Sequence, residues 1–220
     1  MNEHANPAIL NGPDMEGTGD YASVLDVFHA SVERFADNIA FSCMGQTLSY
    51  AELDRLSGDF AAWLQHETSL KPGDRIAIQL PNTLQFPVAV FGALRAGMVV
   101  VNTKREMAHQ FKDSGARAIV LLANMADKLE RVLEQTDIEH LVVTELGDLH
   151  GFPKRQLINA VVKYVKKMVP AYGLPQAVPL RRALRLGAGL EHREASRGAD
   201  DIAALQYTGG TTGLAKGTML

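Results

Sequence analysis

Residues 75–101 read RIAIQLPNTLQFPVAVFGALRAGMVVV. The run from Ile76 to Leu80 has the composition of a buried strand, the segment from about Leu84 to Ala96 repeats apolar side chains at helical spacing up to Gly97, and Met98 to Val101 is a second strand. Strands this continuously apolar are buried on both faces, and a helix between two of them crosses over from one parallel strand to the next. Pro87 falls near the first turn of that helix, where early N–H groups lack a helical partner and proline is tolerated.

The alternation continues downstream: a helix from about Arg105 to Ser114 ended by Gly115, a strand from Ala118 to Leu122, a helix from Ala126 to Gln135, and a strand from Leu141 to Thr144. It predicts an α/β fold, a doubly wound, mostly parallel sheet with flanking helices. Upstream, Lys71-Pro72-Gly73-Asp74 reads as a turn. Ser49 and Glu52 make a Ser-x-x-Glu capping box, so a helix should run from there toward His66 with Leu53, Leu56, Phe60, Ala61 and Leu64 inward. Ile39 to Cys43 and Thr47 to Tyr50 flank Met44-Gly45-Gln46 as a short hairpin. Ser23 caps a first helix with Val24, Val27, Phe28, Val32 and Phe35 as its apolar positions. Residues 1–20 are a polar, glycine- and proline-containing stretch with the composition of a disordered tail, leaving residues 21–220 as the folded part.

Composition is ordinary for a globular protein, with 46% apolar and 21% charged residues, and a chain of 220 residues buries about 70% of its extended surface. The net charge of −3 argues against a general nucleic-acid binder. Cys43 is the single cysteine and is read as packing, and the seven histidines show no metal-ligand spacing, so no metal site is predicted. The start of the chain lacks the pattern of a secretory signal and no apolar run is long enough for a membrane span, which predicts a cytoplasmic protein.

Charge is unevenly distributed. Residues 150–197 hold ten Lys or Arg and only Glu191 and Glu194 as acids, whereas the remainder carries 12 basic and 23 acidic residues. On a helical wheel Leu157, Ile158, Val161, Val162, Val165, Met168 and Val169 share one side, opposite Arg155, Lys163, Lys166 and Lys167. Two readings fit: an amphipathic helix packed on the sheet, or an interfacial helix making peripheral membrane contact from Leu157 to Val169. Pro170, Pro175 and Pro179 mark an irregular connector before a short basic helix from Leu180 to Leu186.

The stretch that carries chemistry lies at the other end: Leu205-Gln206-Tyr207-Thr208-Gly209-Gly210-Thr211-Thr212-Gly213-Leu214-Ala215-Lys216-Gly217. Gly209, Gly210 and Gly213 allow backbone N–H groups to turn toward one anion. The hydroxyls of Thr208, Thr211 and Thr212 add donors, and Lys216 adds a charge suited to phosphate. An apolar run from Ile202 to Tyr207 leads in as a strand, so the loop should sit at a strand's carboxyl end, where open α/β sheets bind ligands. The common nucleotide loop places a Gly-Lys pair before Ser or Thr, whereas here Ala215 precedes the lysine.

The motif resembles the signature of the adenylate-forming superfamily, Thr-Ser/Gly-Gly-Thr-Thr-Gly-x-x-Lys-Gly, and Gly209 and Ala215 are similar to the bacterial long-chain fatty-acid CoA ligases. Tyr50-Ala51-Glu52-Leu53, Lys71-Pro72-Gly73-Asp74-Arg75, Leu80-Pro81-Asn82 and Phe91-Gly92-Ala93-Leu94-Arg95-Ala96-Gly97 resemble further landmarks of those enzymes, in the same order. Two departures stand out. Family members carry an Asn-Pro-Leu-Tyr-Thr segment after the strand, whereas here Val101-Asn102-Thr103 leads through Lys104 straight into Arg105-Glu106-Met107, and the chain stops at Leu220.

The resemblance implies an incomplete N-terminal domain of the acyl-CoA synthetase type, truncated just after the phosphate loop. It further implies ATP, CoA and a fatty acid as substrates, Mg²⁺ as an accompanying ion, and Thr208, Gly209, Gly210, Thr211, Thr212, Gly213 and Lys216 as the nucleotide-phosphate site, with Lys216 and Thr211 foremost. The aromatic-Gly-x-Thr-Glu motif, ribose-binding aspartate, hinge and C-terminal lysine of the family are absent from these 220 residues, so no catalytic residue is assigned and the chain alone is expected not to make acyl-CoA. A homodimer is a further expectation. The alternatives are a non-catalytic remnant acting as an interaction or dimerisation module, and an unrelated phosphate-binding protein.

Overall fold

The computed structural model describes residues 21–103, 107–196, 198, 200–208 and 216–220. The readings of residues 1–20 as a tail and of the shortened Lys104–Glu106 connection therefore lie outside the described residues.

The first helix, α1 (Val24–Phe35), starts where the Ser23 hydroxyl accepts the Asp26 N–H at 3.2 Å. Its inward face is Leu25 and Phe28 with Val32 packed beside them, whereas Val24 and Val27 are exposed. The expected stripe is therefore rotated: Leu25 and Phe28, not Val24 and Val27, are the side chains buried where α1 packs on α2 (Tyr50–Glu67) and α3 (Gln85–Arg95). Between α1 and α2, β1 (Ile39–Cys43) and β2 (Gln46–Ser49) form an antiparallel hairpin. Its turn, Met44-Gly45, has positive φ at both positions, as a two-residue hairpin turn matched to strand twist requires. The capping box of α2 is complete: Ser49 Oγ accepts the Glu52 N–H at 3.1 Å and Glu52 returns a carboxylate oxygen to the Ser49 N–H at 2.9 Å.

The main sheet has the order β7-β6-β5-β3-β4-β8-β9. Its strands are β3 (Arg75–Gln79), β4 (Val99–Asn102), β5 (Ala116–Leu122), β6 (His140–Thr144), β7 (Val178–Pro179), β8 (Ala204–Thr208) and β9 (Lys216–Met219), all parallel except β9, which returns antiparallel to β8. Successive strand residues point to opposite faces. Ile76, Ile78, Val100, Ala118, Val120 and Val142 join the core beneath α1, α2, α3 and α7 (Leu180–Gly187). Ala77, Val101, Ile119, Leu121, Leu141 and Val143 join the core beneath α4 (Met107–Ser114) and α5 (Ala126–Val132).

Connections that step toward β9 (β3 to β4, β7 to β8) carry α3 and α7 on the first face. Those that step toward β7 (β4 to β5, β5 to β6, β6 to β7) run over the second, where Val169, Leu174 and Ala177 pack. Reversing direction and face together is what a single handedness of crossover demands. Gly73, Gly97 and Gly115 all have positive φ at the turns where the sequence places them. Gly187 is required by packing: a Cβ there would land on the Asp59 carbonyl oxygen where α7 meets α2.

Two further features depart from the sequence reading. The two-residue β7, inside the proline-rich connector, was not expected. And the helix drawn from Leu157 to Val169 is a shorter α6 (Lys154–Ala160) that runs into a π-helical turn, Val161–Val165, closed by Lys166 N–H to Val161 O at 2.8 Å and followed by Lys167 at φ 52°. A residue in a π turn advances less about the axis than in an α-helix, so beyond Ala160 the apolar stripe drawn at α-helical spacing slips, whereas Leu157 lies in α6 before the turn and owes its exposure to its place on that helix. Ile158, Val161, Val162 and Val169 remain half-buried, while Leu157, Val165 and Met168 face solvent at 65, 71 and 54% exposure.

Candidate phosphate-binding site at the carboxyl edge of the sheet

Strand β8 pairs with β4 in the register Val100↔Ala204, Val101↔Leu205 and Asn102↔Gln206, and β9 pairs back onto it from Leu205↔Met219 to Thr208↔Lys216. Thr208 and Lys216, the outer polar members of the phosphate motif, are thus backbone partners across two strands. Gly209, Gly210, Thr211, Thr212 and Gly213 lie outside the described residues, as do the side chains of Thr208 and Lys216. The motif leaves from the carboxyl end of a strand in a parallel sheet, the edge at which open α/β sheets take ligands.

The frame under the motif is well tied. Asn102 Nδ2 donates to Gln206 Oε1 at 3.0 Å, joining the last turns of β4 and β8. Tyr207 is buried and its hydroxyl donates to Asp113 Oδ2 of α4 at 2.5 Å. Burial first, and then the Asp113 carboxylate, hold that phenol protonated far above its ordinary range. It is a strut rather than an acid or base. Gly217 on β9 lies against the Tyr207 ring, a contact a larger side chain would disturb. Beside them Thr103 Oγ1, at the carboxyl end of β4, is buried with no partner among the described residues. A buried hydroxyl with no partner calls for water or a ligand atom.

The connector feeding β8 is strapped to α2 and α3. His66 Nε2 lies 2.7 Å from the Glu191 carbonyl, Gln65 exchanges two hydrogen bonds with the Arg193 backbone at 2.8 and 2.9 Å, and Arg95 Nε donates to Glu194 Oε1 at 2.6 Å. Arg95 is only 6% exposed and also binds Asp54 Oδ1 at 2.9 Å and Ser57 Oγ at 2.9 Å. In the sequence Arg95 stands only as a member of the Phe91–Gly97 stretch, with no role assigned to its side chain. Its signal was present: a guanidinium on an apolar helix must meet carboxylates or leave a charge uncompensated.

At the far side of the same edge, Thr144 Oγ1 and the Glu145 N–H donate to Asp148 Oδ2 at 2.9 and 2.8 Å, and Asn159 Nδ2 donates to Glu145 Oε2 at 2.7 Å. These carboxylates are spent on holding β6 to α6. Among the described residues no three of His, Cys, Asp and Glu gather to hold a metal. The donor set of the motif, hydroxyls, glycine N–H groups and a lysine, fits polyphosphate and not a bare cation, so Mg²⁺ fits here only as a companion of the phosphates. Cys43 is half-buried, with its thiol 3.6 Å from the Asn82 carbonyl, in keeping with a packing role. No described helix is long and apolar enough to cross a membrane.

Fold and edge together define a class. A family model described as AMP-binding enzyme matches residues 28–220, and the chain belongs to that family. Among its relatives, the long-chain fatty acid–CoA ligase of Escherichia coli O157:H7 is 48% identical over 205 residues, covering 91% of this chain and 36% of the ligase. The ligase of the same name from Haemophilus influenzae is 48% identical over 208 residues, covering 92% and 37%, and that of Bacillus subtilis 30% over 200 residues, covering 86% and 35%. The chain thus spans just over a third of the length of these relatives. In structure it is similar to an anthranilate CoA ligase in complex with anthranoyl-AMP (TM-score 0.71, 14% identity, 90% of this chain and 34% of the other). A long-chain fatty acid–CoA ligase of Archaeoglobus fulgidus also matches (TM-score 0.65, 19% identity, 91% and 37%). At these identities the structural likeness concerns the fold, which agrees with the doubly wound sheet.

Proposed function

We propose that this chain supplies the phosphate-binding part of an ATP-dependent long-chain fatty acid–CoA ligase. In the reaction, a fatty carboxylate attacks the α-phosphate of ATP, the bond to the β-phosphate breaks and pyrophosphate leaves. The CoA thiol then displaces AMP from the acyl carbon to give the thioester. Negative charge builds on the departing pyrophosphate, and donors held in place around it lower the barrier. Thr208, Gly209, Gly210, Thr211, Thr212, Gly213 and Lys216 are the donors proposed for the β- and γ-phosphates, Lys216 and Thr211 foremost; Mg²⁺ bound to those phosphates would share the charge.

The observation that carries this reading is the placement of the motif: it is bracketed by paired β8 and β9 at the carboxyl edge of a parallel sheet, in a chain 48% identical to named ligases. The Thr103 hydroxyl at the same edge, buried with no partner among the described residues, supports a polar ligand there. In the full-length enzyme, Lys216→Ala should slow acyl-adenylate formation, read as fatty-acid-dependent exchange of pyrophosphate into ATP, by about 100-fold or more. An unchanged rate overturns the assignment.

We also place the enzyme in the cytoplasm, in peripheral contact with the inner face of the membrane through Leu157 to Val169, where its apolar substrate would be concentrated. Homodimerisation is a separate proposal, read by sedimentation of the purified protein.

A further inference from the structure

Exposed large apolar side chains occur near both ends of the described chain and in one stretch between, and only that middle stretch is also rich in basic residues. Phe152 is 85% exposed, Leu157 65%, Tyr164 69%, Val165 71% and Met168 54%, all within a single stretch of α6, its π turn and the residues that flank them. Arg155, Lys163, Lys166 and Lys167 are interleaved with them, and from residue 149 to residue 190 there are eight Lys or Arg and no acid.

The basic character continues onto a second element. Arg181, Arg182 and Arg185 of α7 are exposed and form no ion pair among the described residues. With Tyr172 and Leu174 they line a cleft of about 740 Å³ at the outer edge of the sheet. Asn159 of α6 donates to Glu145 of the cleft wall at 2.7 Å, so α6 borders the same cleft. The carboxylates in the cleft wall, Glu145 and Asp148, accept hydrogen bonds from Asn159 and Thr144 and keep their charge, but the three arginines outnumber them and leave the cleft net basic.

We propose that this edge, α6 with its π turn together with the arginine face of α7, is a docking surface for an anionic phospholipid bilayer. The proposal rests on the peripheral-membrane reading above and adds α7 to it. The helix-plus-π segment supplies apolar and aromatic side chains at the depth of the headgroup boundary, and the π turn is what frees Val165 and Met168 from the sheet to reach it. The lysines and the three arginines meet the negative headgroups. The rest of the chain is acidic, 12 basic against 23 acidic residues outside 150–197, so an anionic surface attracts this edge and repels the others.

The test is flotation of the full-length protein with vesicles of phosphatidylcholine alone or mixed with phosphatidylglycerol. The wild type should float with the mixed vesicles only, and less as salt is raised. Replacing all three arginines (Arg181→Gln, Arg182→Gln and Arg185→Gln) should weaken binding on the order of 10- to 100-fold. The pair Leu157→Ser and Val165→Ser should weaken it by on the order of 10-fold or more. All these positions are exposed, so an unchanged thermal midpoint serves as the control for folding. If the wild type binds mixed vesicles but neither variant binds more weakly, the docking surface is wrong while the peripheral reading survives. Equal binding to both vesicle types overturns the charge-directed surface, and no binding to either overturns both.

Discussion

Helices α2 and α6 have the same design on paper, an apolar stripe opposite a charged face, and the fold treats them differently. In α2, eight residues from Leu53 to Leu64 are buried between α1, α3 and α7, with Phe60 at 0% exposure. In α6 and its π turn, no residue is fully buried. Periodicity reports that a helix has two faces and is silent on what covers the apolar one. That depends on whether other elements arrive on that side, and α6 lies at the β6–β7 edge, where the sheet ends.

The contrast can be broken by mutation. Phe60→Ala should cost about 3–5 kcal/mol in a urea titration; a much smaller loss would mean that α2 is less well packed than it looks. Next, Arg95→Gln removes the partner that Asp54 and Glu194 share and should cost about 3 kcal/mol, with Glu194→Gln costing less because that carboxylate is partly exposed. If the two losses were equal, the strap would depend on Glu194 alone. The capping box starts α2, whereas no side chain caps α6 at Pro153, so Ser49→Ala should cost about 1 kcal/mol.

A smaller effect distinguishes paired arginine from unpaired. At the amino edge of the sheet Arg117 binds Asp74 Oδ2 at 2.6 Å and Glu139 Oε2 at 2.7 Å. The hydrogen bonds from Arg117, and then from Ser69, hold the Glu139 carboxyl below its ordinary value. A depressed carboxyl stabilises the fold fully above its unfolded pKa, and that contribution is lost as pH falls through the folded one. Arg117→Gln should therefore flatten the acid limb of the stability curve, followed as urea midpoint against pH, while Arg181→Gln leaves it unchanged. Smallest of all, Leu157→Ser with Val165→Ser should alter stability by no more than about 0.5 kcal/mol.

The alternation from Arg75 to Thr144 was legible because each β3–β6 strand is short, continuously apolar and punctuated by glycine or a capping residue. The capping box at Ser49 and Glu52 was legible because both halves are local. What escaped reading depends on distant partners. Val24 and Val27 are exposed because Leu25 and Phe28 are the side chains that meet α2 and α3, and β7 exists because β6 offers an edge to Val178 and Pro179. The π turn is a local departure that composition does not mark. For the candidate site, the strand leading to the motif and its place at the carboxyl edge could be read. The struts beneath it could not, because Asn102 with Gln206 and Tyr207 with Asp113 are pairs far apart in sequence.

The sheet order has a consequence for the chain as it is made. Strand β4, all valine but for Asn102, lies between β3 and β8, yet β8 comes roughly a hundred residues after it, on the order of 5–20 s of synthesis at the ribosome. During that interval Val99 to Val101 form an open edge with unpaired backbone groups, the template on which another nascent chain can add a strand. A ribosome stalled between residues 150 and 200 would hold the molecule at its most aggregation-prone, and chaperone occupancy should peak over that window and fall once β8 has emerged to close the edge.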